Sequence, residues 1–525
     1  MDGRWNAAWT LLPGYLAEHV LLSVCALGLG LAISLPLAVA ASRSAAARWP
    51  ALAFASLVQT IPSLALLALF YPLLLALSAL TKAVLGQGFS ALGFLPSLLA
   101  LTLYSMLPIL RNGVAGLAGV DPAVVEAARG MGMTDRQRLF SVELPLAAPV
   151  IMAGVRTAAV WTIGAATLAT PVGQTSLGNF IFSGLQLENW VFVLFGCVAS
   201  AVLALSADQL LGLIEQGLAR RTAWRIWAGV IGLIVGTLAA LSPLVGHGAW
   251  ARASNTYVIG AKNFSEQYIL TELIASRLEA VGARVQRKED LGSNIAYEAV
   301  KAGEIDAYVD YSGTLWANRL KRKDNPGRAA VLAVLTRELR AQDGVVVLGP
   351  LGFENAYALA MPRAKAEALH IRTLADLAAH ASQLNMGADL EFLSRPEWAA
   401  VRDAYGLQFR RQTQYQPNFM YHALSSGQVD VISAFSSDGR IAADDLLVLD
   451  DPKHALPPYD AVLLVSARRA GDARLIAALK PLVGRIKVEA MRAANYSVDR
   501  DRAKATPAEA AQALAAAVGL AQNPP

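Results

Sequence analysis

Polar residues in the second half of the sequence are of types that bind small charged ligands. Asn263, Ser265 and Gln267 stand at the start of a predicted helix, where side-chain donors and the helix dipole can stabilise a carboxylate. Ordinary helix capping is the alternative for these three residues. Asp310 and Asp438 can face a cation, although carboxylates in turns more often bond to the backbone. The chain thus carries groups suited to a ligand of either sign.

The sequence contains none of the residue patterns that an enzyme or a metal site requires. It has no Gly-x-x-x-x-Gly-Lys-Ser/Thr phosphate loop, and its six histidines are scattered. Ser312 and the pair Ser436–Ser437 have no base partner nearby in sequence. Cys25 and Cys197 lie in apolar runs, so they form neither a disulfide framework nor a metal-ligand spacing. We expect no catalytic residue, no metal and no cofactor in this chain.

Alternating strands and helices position the polar residues from residue 257 onward. The first unit has predicted strands at 257–260, 284–287 and 306–310 and helices at 265–280 and 295–302. A second unit begins after Met361, with strands at 384–387 and 429–434. The chain returns at 457–462, and a helical tail at 473–520 packs on the first unit. Such alternation predicts parallel sheets with the ligand at the carboxyl ends of the strands, in one cleft between two lobes.

The composition is that of a membrane protein with a water-soluble part. The 525 residues are 55% hydrophobic and only 16% charged, with a mean hydropathy of +0.42. Apolar runs of membrane-spanning length occur before residue 250, and ordinary globular charge density follows it. The net charge of +5 is no sign of nucleic-acid binding, because the basic residues of the first half cluster beside apolar runs.

Six apolar runs predict six membrane spans, at about 16–41, 51–80, 91–117, 144–170, 190–214 and 226–248. Arginines cluster in alternate loops, namely Arg43, Arg48, Arg111, Arg129, Arg136, Arg138, Arg220, Arg221 and Arg225. The opposite loops carry only Arg4 and Lys82. The excess of positive charge on the cytoplasmic side places both termini outside and the loop 121–145 in the cytoplasm.

Three polar features interrupt the predicted spans. Residues 59–63 place a proline within the second span, which predicts a kink that either lines the translocation path or is buried against neighbouring helices; residues 170–173 pose the same choice. Arg156 in the fourth span faces the bundle interior or extends to the headgroups.

The sixth span ends in Ala251-Arg252-Ala253, which suits signal cleavage after Ala253. We favour an uncleaved span that tethers the following domain.

The loop 121–145 has a characteristic spacing. Glu126, Ala127 and Ala128 are followed after three residues by Gly132 and then, nine residues later, by Val142-Glu143-Leu144-Pro145. Asp121 with Pro122 predicts a helix start, and Gly130 and Gly132 end that helix before a second one. The spacing resembles the coupling loop of bacterial ABC-importer permeases. The resemblance implies that Glu126, Ala127, Ala128, Gly132, Leu144 and Pro145 dock on a cytoplasmic ATPase and transmit its movement.

The second half resembles the substrate-binding proteins of osmoprotectant uptake systems, and with the permease half it resembles fused permease and receptor chains. Five segments carry this resemblance: Lys262-Asn263-Phe264-Ser265-Glu266-Gln267, Asp310-Tyr311-Ser312-Gly313-Thr314, Gly352-Phe353-Glu354-Asn355-Ala356-Tyr357-Ala358, Ala434-Phe435-Ser436-Ser437-Asp438-Gly439-Arg440 and Pro457-Pro458-Tyr459-Asp460. The family binds glycine betaine, choline, carnitine and related compounds between two lobes. Some fused relatives import ergothioneine, a betaine of a thiolated histidine.

The resemblance implies an aromatic cage for a quaternary ammonium group. Such a group cannot donate hydrogen bonds and is held by ring faces, each worth about 0.5–2 kcal/mol. Tyr311, Tyr357 and Phe435 match the cage-bearing segments, and Tyr415 or Tyr421 can add a further wall. A core or surface aromatic is the alternative for each. Phe435 stands where a tyrosine is expected in betaine binders, so a simple betaine cage is in question.

The resemblances together imply the fold and the domain boundaries. An all-α, six-helix transmembrane permease of the type I ABC importers is expected over residues 1–250, with its coupling loop at 121–145. An α/β, two-lobe domain of the type II periplasmic binding proteins is expected over 254–525. Lobe 1 is placed at about 254–360 and 458–525, and lobe 2 at about 361–457.

The implied function is ATP-driven import of a quaternary ammonium compound, either an osmoprotectant such as glycine betaine, choline or carnitine, or ergothioneine. The expected partners are a second copy of this chain, two cytoplasmic ATPase subunits that hold ATP and magnesium, and membrane lipid, with no nucleic acid. The expected location is the bacterial inner membrane, with the C-terminal domain in the periplasm. The alternatives are import of another amino-acid derivative, or a membrane-anchored sensor that regulates a partner and transports nothing.

Overall fold

The computed structural model describes residues 3–85, 89, 91–187, 189–246, 256–322, 324–389, 392–415, 417–500 and 503–520. Most of residues 1–251 form one compact unit, and most of residues 252–525 form another. The predicted domain boundary at 250–254, with the cleavage position after Ala253, lies outside the described residues.

The N-terminal unit is built from helices. They are α1 (Gly3–Arg43), α2 (Ala45–Thr60), α3 (Ser63–Leu85), α4 (Phe94–Ala118), α5 (Pro122–Gly130), α6 (Asp135–Arg138), α7 (Leu144–Ala166), α8 (Gly178–Gln186), α9 (Trp190–Arg220) and α10 (Ala223–Gly246). Among the described residues, six helical stretches are long and apolar enough to cross a bilayer: Trp5–Arg43, Ser63–Leu85, Phe94–Ala118, Asp135–Val172, Trp190–Arg220 and Ala223–Leu244. The predicted six-helix permease fold is confirmed.

The predicted second span, 51–80, is wrong as one helix. Helix α2 ends at Thr60 and α3 begins at Ser63, because Pro62 has no N–H to donate and Ile61 takes an extended conformation with ψ 127°. The break therefore falls within the predicted kink at 59–63. The hydroxyl of Tyr104 in α4 donates to the Ile61 carbonyl. A neighbouring helix thus satisfies the freed backbone group.

Arg156 of α7 pairs with two carboxylates of α9. Its guanidinium donates to both oxygens of Asp208, at 2.5 and 2.8 Å, and to Glu215 at 3.3 Å. The arginine side chain is 35% exposed and that of Asp208 is 20% exposed. Of the two predicted placements, the one inside the helix bundle is observed, because a charge at this depth needs an opposite charge beside it.

We expect Asp208→Asn to lower the melting temperature of the purified chain in detergent. Removing one partner of this half-buried pair should cost about 1–2 kcal/mol, and each kcal/mol lowers the melting temperature by about 2–4 °C. Ser206→Ala, a change on the same helix, is the control. The double variant Arg156→Gln/Asp208→Asn should recover part of the loss. An unchanged melting temperature in Asp208→Asn would show that the pair does not stabilise the bundle.

The loop 121–145 forms the predicted helix, turn and helix. Asp121 caps α5 by accepting from the Ala123 N–H at 2.9 Å, and Thr134 with Gln137 forms a capping box on α6. Between them Gly132 has φ +80°, a conformation that favours glycine. A π-helical segment, Leu139–Glu143, then joins α6 to α7. The ion pair from Arg138 Nε to Glu143, at 2.7 Å, lies at this junction.

The C-terminal unit contains two mixed sheets of five strands. The strands are β1 (Thr256–Lys262), β2 (Arg284–Leu291), β3 (Ala307–Tyr311), β4 (Val346–Glu354), β5 (Tyr357–Pro362), β6 (Asn385–Asp389), β7 (Arg411–Tyr415), β8 (Val431–Phe435), β9 (Leu446–Val448) and β10 (Asp460–Val465). The first sheet has the order β2-β1-β3-β10-β4, and the second has the order β7-β6-β8-β5-β9. Every residue of β3 and of β10 is buried, so both strands have nearly continuous apolar sequences.

Helices cover the two sheets of the C-terminal unit. They are α11 (Ser265–Ala280), α12 (Ser293–Ala302), α13 (Ser312–Thr314), α14 (Arg328–Asp343), α15 (Arg363–Ala368), α16 (Leu374–His380), α17 (Pro396–Tyr405), α18 (Pro417–Ser425), α19 (Arg440–Ala443), α20 (Ala473–Leu479), α21 (Val488–Asp499) and α22 (Pro507–Ala517). The predicted α/β class with two lobes is confirmed, each lobe being centred on one sheet.

Two details of the predicted lobes are corrected. Strand β5 pairs with β8 and β9 of the second sheet. The chain therefore first passes from lobe 1 to lobe 2 at residues 355–356 and not at 360–361. Only these two residues separate β4 from β5, and the two apolar strands therefore merge in the sequence. The sheets are also not purely parallel, because β10 and β5 each run antiparallel to both neighbours. The chain returns from lobe 2 to lobe 1 between β9 and β10, and this range includes the predicted return at 457–458.

Candidate functional site

A cavity of about 210 Å³ lies between the two lobes, at the carboxyl ends of β1, β3, β6 and β8. Most of the predicted ligand-binding residues line it: Asn263, Ser265, Tyr311, Tyr357, Tyr421, Phe435 and Asp438. Three predicted residues are not among its lining residues, namely Gln267, Asp310 and Tyr415. The position agrees with the rule that ligands bind beyond the carboxyl ends of strands in such sheets.

Tyr357 is the centre of an aromatic wall on one side of this cavity. It is the first residue of β5 and pairs directly with Phe435, the last residue of β8, so the two rings are cross-strand neighbours. Their centroids are 4.7 Å apart. The rings of Phe392 and Tyr459 lie 4.8 and 5.7 Å from that of Tyr357. Tyr357 thus contacts all three rings, and Tyr357, Phe435 and Tyr459 line the cavity, where they offer an aromatic face to a ligand.

Tyr311 belongs to a second aromatic pair, at the end of β3. Its ring stacks on that of Phe264 with centroids 6.1 Å apart. The Tyr311 hydroxyl donates to Glu266 at 2.6 Å and accepts from the amide of Gln267 at 2.9 Å. Gln267 therefore positions Tyr311. The start of α11 has no side-chain cap, so capping is not the role that the structure gives to Asn263, Ser265 or Gln267.

Asp310 and Tyr415 do not line the cavity and have partners within the protein. Asp310 forms a buried ion pair with Lys262 and accepts from the Tyr308 hydroxyl at 2.5 Å. The cation that Asp310 faces thus belongs to the protein itself. Tyr415, at the end of β7, packs against an apolar cluster that contains Met420 and Val429. Neither residue is placed to touch a ligand in this cavity.

Asp438 supplies a buried carboxylate to the cavity. One of its oxygens accepts from the Phe435 N–H at 3.1 Å and from the Tyr421 hydroxyl. Burial, together with the smaller effect of the charges of Asp499 and Glu266, raises the pKa of Asp438 to about 7 against the lowering effect of these two hydrogen bonds. A ligand cation near Asp438 would favour the ionised carboxylate.

We expect a permanent cation held beside Asp438, with choline as the probe, to bind more tightly at pH 8 than at pH 6. Below pH 7 Asp438 is mostly protonated and attracts the cation less, so affinity at pH 6 should be about five- to tenfold lower than at pH 8. Calorimetric titrations across this range measure the effect. Asp438→Asn should bind choline with little dependence on pH. A wild-type affinity that is constant from pH 6 to 8 would contradict this role of Asp438.

Arg395 brings a positive charge to the aromatic wall. Its guanidinium carbon lies 5.3 Å from the centroid of Tyr357, and it donates to the carboxylate of Glu397 at 3.2 and 3.0 Å. Arg440, which donates to the Asp499 carbonyl at 2.6 Å, also lines the cavity. The cavity therefore combines ring faces, carboxylates and guanidinium groups, a combination suited to a zwitterion.

Several lining residues were not among the predicted ones: Glu266, Asn355, Arg395, Tyr459, Asn495 and Asp499. Glu266, Asn355 and Tyr459 lie in segments that carried the family resemblance, so those segments held a signal for them. Arg395 follows a short 3₁₀ turn, and Asn495 lies within α21. Nothing in the local sequence of either residue marks it as part of a binding site.

Comparison with known proteins assigns each half of the chain. Residues 255–517 match the family described as the substrate binding domain of ABC-type glycine betaine transport system. Residues 30–220 match the binding-protein-dependent transport system inner membrane component. The chain is 30% identical, over 84% of its length and 78% of the other protein, to the ergothioneine transport permease/ergothioneine binding protein EgtU of Helicobacter pylori (strain G27). This chain belongs to the ABC import permeases fused to a substrate-binding domain.

Further similarities of this fused permease concern one half at a time. The glycine betaine/carnitine/choline transport system permease protein OpuCB of Bacillus subtilis (strain 168) is 39% identical over 38% of this chain and 84% of that protein. The crystal structure of a glycine betaine/carnitine/choline ABC transporter is 26% identical, covers 50% of this chain and 99% of its own chain, and has a TM-score of 0.45. The fused permease is an inner-membrane protein, and its substrate-binding domain is extracytoplasmic.

Proposed function

We propose that this chain provides the membrane path and the receptor of an ATP-driven importer for a quaternary ammonium compound. The observation that carries this proposal is the interlobe cavity, where the aromatic wall around Tyr357 lies in the same site as the buried carboxylate of Asp438. Ring faces hold a methylated cation that cannot donate hydrogen bonds. Relatives named for ergothioneine and for glycine betaine, carnitine and choline agree with this ligand class.

In the proposed mechanism, ligand binding closes the two lobes and ATP hydrolysis moves the helices. The chain has no phosphate loop, so ATP and magnesium bind to two partner ATPase subunits. Six spans form half of a two-fold translocation path, and two copies of the chain therefore pair. The loop around Glu126 carries exposed apolar side chains, Val124, Met131 and Phe140, which are 40%, 71% and 61% exposed. Such side chains suit docking on an ATPase surface.

The decisive test is a transport assay with the whole chain. The chain would be reconstituted in proteoliposomes with its ATPase, and ATP hydrolysis and uptake would be followed for glycine betaine, choline, carnitine, proline betaine and ergothioneine. We expect at least one of these ligands to bind, to stimulate hydrolysis and to accumulate inside. Binding without stimulated hydrolysis or uptake would favour the membrane-anchored sensor. Binding of none of the five would defeat the proposed ligand class.

A further inference from the structure

One carboxylate connects the loop 121–145 to the first helix of the N-terminal unit. Glu143 accepts from Arg138 Nε at 2.7 Å on one oxygen, and its other oxygen lies 3.6 Å from the guanidinium of Arg43. Arg138 is the last residue of α6, and Arg43 is the last residue of α1. The side chain of Glu143 therefore contacts two elements that are far apart in the sequence.

The π-helical segment Leu139–Glu143 makes this contact possible. In an α-helix, residues five apart are separated by about 140° around the axis, so Arg138 and Glu143 would lie on different faces. A π-helix forms its hydrogen bonds between residues five apart, and here the Leu144 N–H donates to the Leu139 carbonyl. The wider turn brings the two side chains to one face. Single π-helical turns of this kind are frequent at functional sites.

The two ion pairs of Glu143 differ in their surroundings. The side chains of Arg138 and Glu143 are 8% and 13% exposed, so salt and water screen their attraction little. Arg138 also pairs with Asp135, at the start of α6, at 2.9 Å. The side chain of Arg43 is 43% exposed, and exposed pairs are weaker. Helix α6 is thus held tightly to Glu143, and α1 is held by a contact that one substitution removes.

We propose that Glu143 is a positioning residue that passes movement of the loop 121–145 to α1 as well as to α7. The inference rests on the proposed function and adds a residue to its mechanism, because the motif of this loop assigns the neighbours of Glu143 on both sides and not Glu143 itself. Glu143 directly precedes α7, so the backbone carries its movement into that helix. Its carboxylate adds a second path, through Arg43 to α1. Two helices of the bundle then respond to one movement of the loop.

The first test measures ATPase coupling in variants of the ion pairs. The full chain is reconstituted with its ATPase in proteoliposomes, and the probe is an equimolar mixture of glycine betaine, choline, carnitine, proline betaine and ergothioneine. We expect probe-stimulated ATP hydrolysis to fall by about fivefold or more in Glu143→Gln and by about two- to fivefold in Arg43→Gln, where the weaker pair is lost. Arg43→Lys keeps the positive charge and should retain most of the stimulation.

The chain contains a matched control for the loss of charge. Arg220, like Arg43, is the last residue of a membrane-spanning helix. Arg220→Gln therefore removes a positive charge from an equivalent position on α9, and stimulated hydrolysis should match that of the wild type. An Arg43→Lys variant as impaired as Arg43→Gln would overturn the inference, because the role proposed for Arg43 is its charge.

A double variant shows whether the two residues act through one contact. If Arg43 acts through Glu143, stimulated hydrolysis in Arg43→Gln/Glu143→Gln should be no lower than in Glu143→Gln alone. Losses that multiply in the double variant would overturn the inference. If Glu143→Gln fails to fold, the comparison of Arg43→Gln with Arg43→Lys and the distance measurement below decide, since they change only the half-exposed arginine.

A distance measurement follows α1 directly. In a chain with Cys25→Ser and Cys197→Ser, a spin label is attached either at Leu37 of α1 or at Val150 of α7, both of which are exposed. The distance between the labels of the two copies in the proposed dimer is measured with and without a non-hydrolysable ATP analogue. In Arg43→Gln the change at Leu37 should fall to about half or less of its wild-type size, while the change at Val150 persists. An undiminished change at Leu37 would overturn the inference.

The outcomes separate this inference from the proposed function. Stimulated hydrolysis that occurs in the wild type and is unchanged in Arg43→Gln would overturn the role of Glu143 and leave the importer intact. Absence of stimulation in the wild type would defeat the proposed function and this inference together.

Discussion

Replacing Gly132 by valine should abolish ligand-stimulated ATP hydrolysis and leave ligand binding unchanged. Gly132 has φ +80° at the turn between α5 and α6, and a β-branched residue is strongly disfavoured in that conformation. Relief of the strain would turn α5, which carries Glu126, away from its present direction relative to α6. In the proposed mechanism, docking on the ATPase depends on the placement of that helix, and we therefore expect the stimulated rate to fall by at least about tenfold.

The chain contains a matched control for this change. Gly130 lies in the last turn of α5 and has no positive φ, and a Cβ added there would meet no atom within 4 Å. Gly130→Val therefore adds the same side chain without the same strain. Stimulated hydrolysis in proteoliposomes and ligand binding in nanodiscs would be measured for both variants. Full stimulation in Gly132→Val would show that this turn does not transmit the ATPase movement.

Tyr357→Ala should weaken binding of the best ligand by about 10- to 30-fold, since one cation–ring contact is worth up to about 2 kcal/mol. Tyr357 contacts three other rings of the wall, those of Phe392, Phe435 and Tyr459. Its removal therefore deletes one ring face and takes a packing contact from each of the three other rings. We expect a larger loss than for Tyr311→Ala, because Tyr311 stacks on one ring, that of Phe264.

Two further variants test whether the ring is the reason. Tyr357→Phe keeps the ring and should retain most of the affinity. Phe419→Ala removes an aromatic side chain that is 40% exposed on α18 and should leave the affinity unchanged. The measurement is calorimetry on the full chain with each variant's melting temperature recorded beside it. Unchanged affinity in a folded Tyr357→Ala would show that the aromatic wall does not hold the ligand.

The sequence was sufficient for the elements whose signal is local. Span number follows from the length of apolar runs, and Asp121, Pro122 and Gly132 mark the ends of α5 and the turn after it. Residues 59–63 predicted a kink in the second span, but whether the helix bends or ends there depends on contacts with a distant part of the chain, such as that of Tyr104 with the Ile61 carbonyl. Strand β5 was assigned to the wrong lobe for a similar reason, since the partner of a strand depends on residues far away in sequence.

The site was predictable only in part for the same physical reason. Tyr311, Tyr357 and Phe435 were expected together from their motifs, but the direct pairing of Tyr357 with Phe435 depends on the register of β5 and β8. Asp310 was expected to face a ligand cation. Instead it pairs with Lys262, which lies 48 residues away in the chain, and the lysine takes the place of that cation. Arg395 and Asn495 reach the cavity through tertiary packing alone.

The helical stretch Asp135–Val172 has a mechanical consequence. Its 38 residues extend for about 57 Å at about 1.5 Å per residue, and they join α6 to Val172 without an intervening loop. In the proposed import mechanism this stretch would act as a lever. Tilting it by about 5° at α6 would displace its other end by about 5 Å, roughly the width of a small solute, so a small movement of the proposed ATPase partner would suffice to widen a passage.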